Sequence, residues 1–182
     1  MNLEEKQLSS EYIYKGKIIN LRKDRAMLPD GRVTSREVIE HPGGVCVAAL
    51  TDKDEVLFVR QFRYPYMEVV LEIPAGKRDK SNESPLECGK RELLEETGAS
   101  AEKFIPLGTL YPSPGYCGEI IWMYAASGLS YGEQHPDDGE FLTAEKIPLD
   151  TAVEMILSGE IKDAKTQAAV LKLKLLKEKG EI

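Results

Sequence analysis

The chain has 182 residues, a formal net charge of −7 at pH 7, 42% hydrophobic and 30% charged residues. That balance describes a soluble globular protein with one main core and room for a small appendage. The acidic excess supplies no basic face for nucleic acid or an anionic membrane, and no apolar run reaches the roughly 20 residues of a membrane span.

The opening MNLEEKQLSS is polar and acidic, unlike a secretion signal. Cys46, Cys88 and Cys117 are odd in number and far apart, which fits neither a disulfide framework nor a zinc cluster. A reduced, cytoplasmic setting is the expectation.

Taken in chain order, EYIYKGKIINLRKD alternates as short strands do, and Pro29-Asp30-Gly31 marks a turn before RVTSREVIEH. Pro42-Gly43-Gly44 breaks the chain, after which VCVAAL (Val45 to Leu50) reads as a buried strand. Thr51 to Glu55 should turn it into VLFVRQFR as an antiparallel hairpin, and VVLEIPAG should form one further strand.

Ser84-Pro85-Leu86-Glu87 starts a helix with a cap, a first-position proline and a capping-box glutamate; Gly98 stops it. FIPLGTLYPSPG and IIWMYAAS follow as strands around a Pro/Gly-rich loop, and FLTAEKIPL is a weaker strand. A helix from about Asp150 to Leu157 ends at Gly159. A last helix, capped by Asp163, sets Ala164, Ala168, Leu171 and Leu175 on one face. The class is therefore α/β or α+β, with residues 1–42 a strand region too small to be very stable alone and 43–182 the main domain.

The helix at 85–97 poses the functional question. Glu92 and Glu96 stack at i and i+4 with Glu95 beside them, near a C-terminus whose dipole already repels anions. Arg91 offsets part of that repulsion; a divalent cation would offset far more. A Glu-, Lys- and Arg-rich helix is ordinarily a solvated face, but here a strand, the glycine of Pro74-Ala75-Gly76 and a polar loop lead into it. That order can bring a backbone carbonyl and substrate oxygens to the acidic edge, and Mg²⁺ needs only a few such ligands plus a phosphate-bearing substrate.

The segment resembles the Nudix box, G-x5-E-x7-R-E-U-x-E-E-x-G-U with U aliphatic. Glu83, Arg91, Glu92, Leu93, Glu95, Glu96, Gly98 and Ala99 match in order, while six residues rather than five separate Gly76 from Glu83. Ser113-Pro114-Gly115-Tyr116 is similar to the SPG[FY] loop of the ADP-ribose pyrophosphatase branch. VRQFRYP and EIPAG resemble further segments of that branch, as does Asp138-Gly139-Glu140-Phe141.

The resemblance implies a Nudix α/β/α sandwich with a mixed sheet, plus a small N-terminal antiparallel sheet that serves a homodimer. It implies Mg²⁺, or Mn²⁺, held by the Ala75 carbonyl, Glu92 and Glu96 with Glu95 assisting. Glu140 would be a ligand or the general base, with Asp138 the second candidate. Arg36 and Arg63 would bind phosphates or ribose; Ser113, Pro114, Gly115 and Glu119 would line the ribose side; Tyr12 or Tyr14 is a candidate to stack on adenine, with ordinary strand packing the favoured role of both.

The implied reaction is hydrolysis of ADP-ribose to AMP and ribose 5-phosphate. Two alternatives stay open: a diphosphatase for another nucleotide sugar or a dinucleotide, and a non-catalytic ligand-binding module of the same fold.

Overall fold

The computed structural model describes residues 2–78, 82–137 and 139–182. The chain divides into two compact units, one made of Met1–Gly43 with Tyr111–Ile120, the other of Gly44–Leu110 with Ile121–Ile182.

In the first unit β1 (Lys6–Lys15), β2 (Asn20–Met27) and β3 (Val33–Glu40) form an antiparallel sheet in sequence order. The predicted turn at Pro29-Asp30-Gly31 joins β2 to β3; Gly31 adopts φ 86°, and its N–H donates to the Leu28 carbonyl at 2.9 Å. Segment 111–120 joins this unit through Ile39, whose N–H donates to the Tyr116 carbonyl and whose carbonyl accepts from Gly118 N–H, at 2.8 and 2.9 Å.

The second unit is built around β4 (Gly44–Ala49), which is buried along its whole length. It lies parallel to β9 (Ile121–Tyr131) and antiparallel to β7 (Ala75–Lys77), and β8 (Ala99–Leu110) completes the order β7-β4-β9-β8. A second sheet has the order β10-β5-β6, from β5 (Glu55–Arg63), β6 (Glu68–Glu72) and β10 (Leu142–Pro148).

Strand alternation deals β4 side chains to two cores. Val45, Val47 and Ala49 pack with Cys88 and Leu93 of α1 (Pro85–Thr97). Cys46, Ala48 and Leu50 pack with Ala152 and Ile156 of α2 (Leu149–Leu157) and with Ala169, Val170 and Leu173 of α3 (Ala164–Glu178). Burial on both faces explains why VCVAAL is continuously apolar. The expected mixed-sheet α/β/α class, with a small antiparallel N-terminal sheet, is what the chain adopts.

Three local expectations need correction. The turn at Thr51–Glu55 forms, but β4 and β5 share only the bridge Leu50–Val56 before entering different sheets. The edge of β4 is already occupied: β7 pairs there, and Val47 N–H donates to the Pro74 carbonyl at 2.9 Å. VVLEIPAG is two strands, because Pro74 has no N–H and Ile73 N–H donates to Thr166 Oγ1 rather than to a ladder. On α3 the face bearing Ala164, Leu171 and Leu175 is the outer one; Thr166, Ala169, Val170 and Leu173 face inward.

Candidate active site

The site of the second unit begins with the ends of α1. Ser84 and Glu87 form the reciprocal capping box, with Glu87 N–H to Ser84 Oγ at 3.2 Å and Ser84 N–H to Glu87 Oε2 at 2.9 Å. At the other end Gly98 takes φ 68° and its N–H donates to the Leu94 carbonyl. Orphan carbonyls there receive donors from the segment after β9: Gln134 Nε2 to Glu96 O at 2.6 Å and His135 N–H to Glu95 O at 3.0 Å. The helix terminus that carries the acids is thereby fastened to the segment leading to Glu140.

Leu93 is fully buried, and Glu92 and Glu96 flank it on the side facing β7. Glu96 is 2% exposed and accepts a hydrogen bond from Ala75 N–H at 3.0 Å. Glu92 lies flat on Gly76: a Cβ at that residue would sit 1.8 Å from the Glu92 carboxyl carbon. This close approach is the reason the position is glycine.

Arg91 stands beside the pair, donating from Nε and Nη2 to Glu83 at 2.9 and 3.1 Å and from Nη1 to Glu95 at 2.7 Å, with Glu92 at 2.7 Å. Burial pushes the Glu96 carboxyl up to about 8; the Ala75 N–H opposes that rise, and the charges of Glu92 and Glu140 add to it. Burial likewise pushes Glu92 up to about 7 against the pull of Arg91. Glu140 is also raised, by burial first and then by Asp137. Its N–H donates to the Asp137 carbonyl at 2.9 Å, around Gly139 at φ 87°.

Arg63, at the end of β5, grips Glu72 with both prongs, Nε to Oε1 at 2.6 Å and Nη2 to Oε2 at 2.7 Å. Lys165 bonds the same carboxylate from α3 and lies 3.0 Å from Asp163. Burial alone would raise Glu72, but Arg63 and Lys165 hold it below the usual carboxylate range.

Of the residues singled out in the sequence, Ala75, Glu92, Glu95, Glu96, Glu140 and Arg63 belong to this unit, and their charges act on one another. Asp138 lies outside the described residues. The others belong to the first unit. There the Ser113 carbonyl accepts from Tyr116 N–H (3.3 Å) and Cys117 N–H (2.9 Å), so Pro114 and Gly115 sit exposed on a turn. Glu119 lies 3.4 Å from His41 Nδ1. Arg36 is held by Glu5 through Nε at 2.9 Å and Nη2 at 2.6 Å. Tyr12 donates to Glu40 Oε2 at 3.0 Å, and Tyr14 is exposed.

Among the described residues the side chains gathered at Ala75 and Gly76 are the carboxylates of Glu92 and Glu96, oxygen donors that suit a hard dication. Two carboxylates held above their ordinary range, Glu96 buried and bonded, among the described residues, by a backbone N–H and Glu92 partly buried beside it, fit such an ion. Among the described residues no three His, Cys, Asp or Glu side chains form a ready-made cage.

Sequence reasoning missed the partnership of Glu72, Lys165 and Asp163. A signal for it exists: Lys165 stands in the first turn of α3, where the helix dipole disfavours a cation, so it calls for carboxylate partners.

Comparison with known proteins agrees with this architecture. The chain matches the NUDIX domain over residues 40–170 and the nucleoside diphosphate sugar hydrolase N-terminal domain over residues 5–39. It is 40% identical over 176 residues to an ADP-ribose pyrophosphatase of Bacillus subtilis (strain 168), covering 96% of this chain and 95% of the relative. It is also 40% identical over 174 residues to a methanol dehydrogenase activator of Bacillus methanolicus, covering 94% of each. A solved structure titled as that of an ADP compounds hydrolase superposes with TM-score 0.86 over 100% of both chains at 21% identity, a likeness of fold. A NUDIX match across most of the chain, joined to relatives at this identity over nearly full length, makes the protein a member of the Nudix family.

Proposed function

We propose that the protein hydrolyses the diphosphate bond of ADP-ribose, giving AMP and ribose 5-phosphate, with Mg²⁺ or Mn²⁺ as cofactor. The observation that carries this reading is the pair Glu92 and Glu96, the first partly buried against Gly76 and the second buried on Ala75 N–H, both raised above the ordinary carboxylate range. The name of the Bacillus subtilis relative supports the choice of substrate.

In this reading the Ala75 carbonyl, Glu92 and Glu96 hold the metal, with Glu95 assisting from its place on Arg91. A bound dication would neutralise diphosphate oxygens and make water a stronger acid. Glu140 accepts the proton of the attacking water or serves as a further ligand, and its raised affinity for protons suits the former role; Asp138 is the other candidate.

Arg63 offers the diphosphate the part of its guanidinium that Glu72 leaves uncovered. Arg36 binds phosphate or ribose once released from Glu5. Ser113, Pro114, Gly115 and Glu119 line the ribose side, and the N-terminal strand region is the dimerisation element of a homodimer.

Incubation with ADP-ribose and Mg²⁺ in ¹⁸O-labelled water tests the reading. AMP and ribose 5-phosphate should appear, and the labelled product identifies the phosphorus attacked. Products from another nucleotide sugar or a dinucleotide, with ADP-ribose left intact, would move the substrate elsewhere in the class.

The name of the Bacillus methanolicus relative favours a second reading, in which the chain regulates a dehydrogenase. A rise in methanol dehydrogenase turnover on adding this protein, persisting in Glu96→Gln, would favour a role independent of hydrolysis.

A further inference from the structure

The first turn of α3 lies outside the acidic helix and its loop, yet it touches the site's scaffold twice. Thr166 Oγ1 accepts from Ile73 N–H at 3.0 Å and itself donates to Asp163 Oδ2 at 2.6 Å. One residue earlier, the ammonium of Lys165 bonds Glu72, a carboxylate 2% exposed, and lies 3.0 Å from Asp163. Both contacts fall on residues 72 and 73, directly before Pro74 and the start of β7, where Ala75 and Gly76 meet Glu96 and Glu92.

Charge balance in this cluster has a consequence for Arg63. Glu72 alone would neutralise Arg63 completely, since the carboxylate takes both Nε and Nη2. With Lys165 on the same carboxylate, Glu72 is shared between two cations, and Arg63 keeps positive potential to offer an anion. Asp163 tempers this by drawing on Lys165. The four side chains sum to zero; without the lysine they would sum to one negative charge where a diphosphate must dock. The Arg63 side chain is 37% exposed, so it has a face to present.

We propose that Lys165 is a positioning residue for diphosphate binding: by sharing Glu72, it fixes the orientation of Arg63 and preserves its charge for the substrate. This rests on the reading of Arg63 as a diphosphate-binding residue. The juxtaposition joins residues 93 positions apart (Glu72 and Lys165), on a strand end and a helix start.

Calorimetric titration with ADP in the presence of Mg²⁺ tests it, using wild type, Lys165→Met, Lys165→Arg, Arg63→Ala, Arg63→Ala/Lys165→Met and Asp163→Asn. Loss of the shared charge should weaken ADP binding about tenfold or more in Lys165→Met, as for a hydrogen bond to a charged group. Lys165→Arg should restore it to within about threefold, because it keeps the charge. In the Arg63→Ala background, Lys165→Met should cost nothing further, since the route through Arg63 is gone.

Asp163→Asn, which retains a helix cap, should tighten ADP binding, whereas damage to a merely structural contact would loosen it. Equal losses from Lys165→Met in both backgrounds, or weaker binding in Asp163→Asn, would overturn the proposal. Should Lys165→Met fail to fold, the Asp163→Asn sign and the Lys165→Arg value still decide it. Failure of the wild type to cleave ADP-ribose would instead refute the proposed reaction, and the ADP measurements would read the coupling independently.

Discussion

Two carboxylates in the second unit are buried to the same degree, Glu72 and Glu96 both being 2% exposed, yet they titrate in opposite directions. Glu72 is met by Arg63 and Lys165 and stays ionised below the usual range. Glu96 is met by the Ala75 N–H, has Glu92 and Glu140 as electrostatic neighbours, and is pushed up to about 8. Burial is common to both; what differs is the company of cations. One carboxylate belongs to a completed ionic cluster; the other is bonded by a backbone N–H, and the more distant charge of Arg63 does not offset its burial.

Substituting each carboxylate by its isosteric amide should break the symmetry most sharply. Glu96→Gln is expected to lower ADP-ribose turnover by about a thousandfold or more, as for loss of a key electrostatic group, with metal-free stability kept at neutral pH, where the raised carboxyl is already largely protonated, and gained above pH 8, where the buried charge would otherwise form. Glu72→Gln should instead cost about 3–5 kcal/mol in urea unfolding, since it leaves the nearly buried Lys165 and the half-exposed Arg63 without their shared carboxylate. Near-normal turnover in the first variant would remove Glu96 from the metal site; a loss under about 1 kcal/mol in the second would dissolve the contrast.

Gly76→Ala acts on the geometry of the acidic side alone. The added methyl overlaps the Glu92 carboxyl group, which must move by about an ångström, and a displacement of that order can lower turnover about a hundredfold. Steady-state kinetics of the alanine variant would check this, and an unchanged kcat would show that Glu92 has room to adapt.

The two carboxylates also predict opposite pH responses. Glu92 and Glu96 bind protons more tightly in the fold, near 7 and 8, than at the ordinary value of 4.5. From these groups the metal-free protein loses stability as pH rises through that window. Glu72, held low, contributes stability present above the ordinary value and lost as pH falls through its folded value.

Melting temperatures in EDTA should therefore decline from pH 5.5 to pH 8 more steeply in wild type than in Glu96→Gln, and the stabilisation by added Mg²⁺ should grow with pH. A wild type no more pH-sensitive than Glu96→Gln would contradict the assignment. The smallest effect is expected at Ser84→Ala, about 1 kcal/mol from loss of the α1 cap, read in the same unfolding experiments.

The acidic half of this contrast was legible in the sequence and the compensated half was not. Helix α1 announces itself through Ser84, Pro85 and Gly98, whose effects are local, and the spacing of Glu92 and Glu96 puts them on one face without further information. The pairing of Glu72 with Lys165 spans the chain and depends on where α3 docks, which no local pattern states.

The same holds for β4. Its apolar run marks it as buried, but the residues beside it, Pro74 to Lys77 and Ile121 to Ala126, are set by tertiary competition for its edges. The inner face of α3 was ambiguous because Leu171 and Leu175, the obvious apolar choices, lie outward, while Thr166 turns inward to satisfy the N–H of Ile73.

Segment 111–120 belongs with the N-terminal sheet although it lies between β8 and β9 in the chain. Cutting the gene after residue 43 would therefore not separate the two bodies cleanly. The truncated product would still carry those ten residues, stripped of the Ile39 backbone that receives and supplies their hydrogen bonds. Modular exchange in this protein calls for three coordinated splices, one at each boundary of the inserted loop and one at the strand exit.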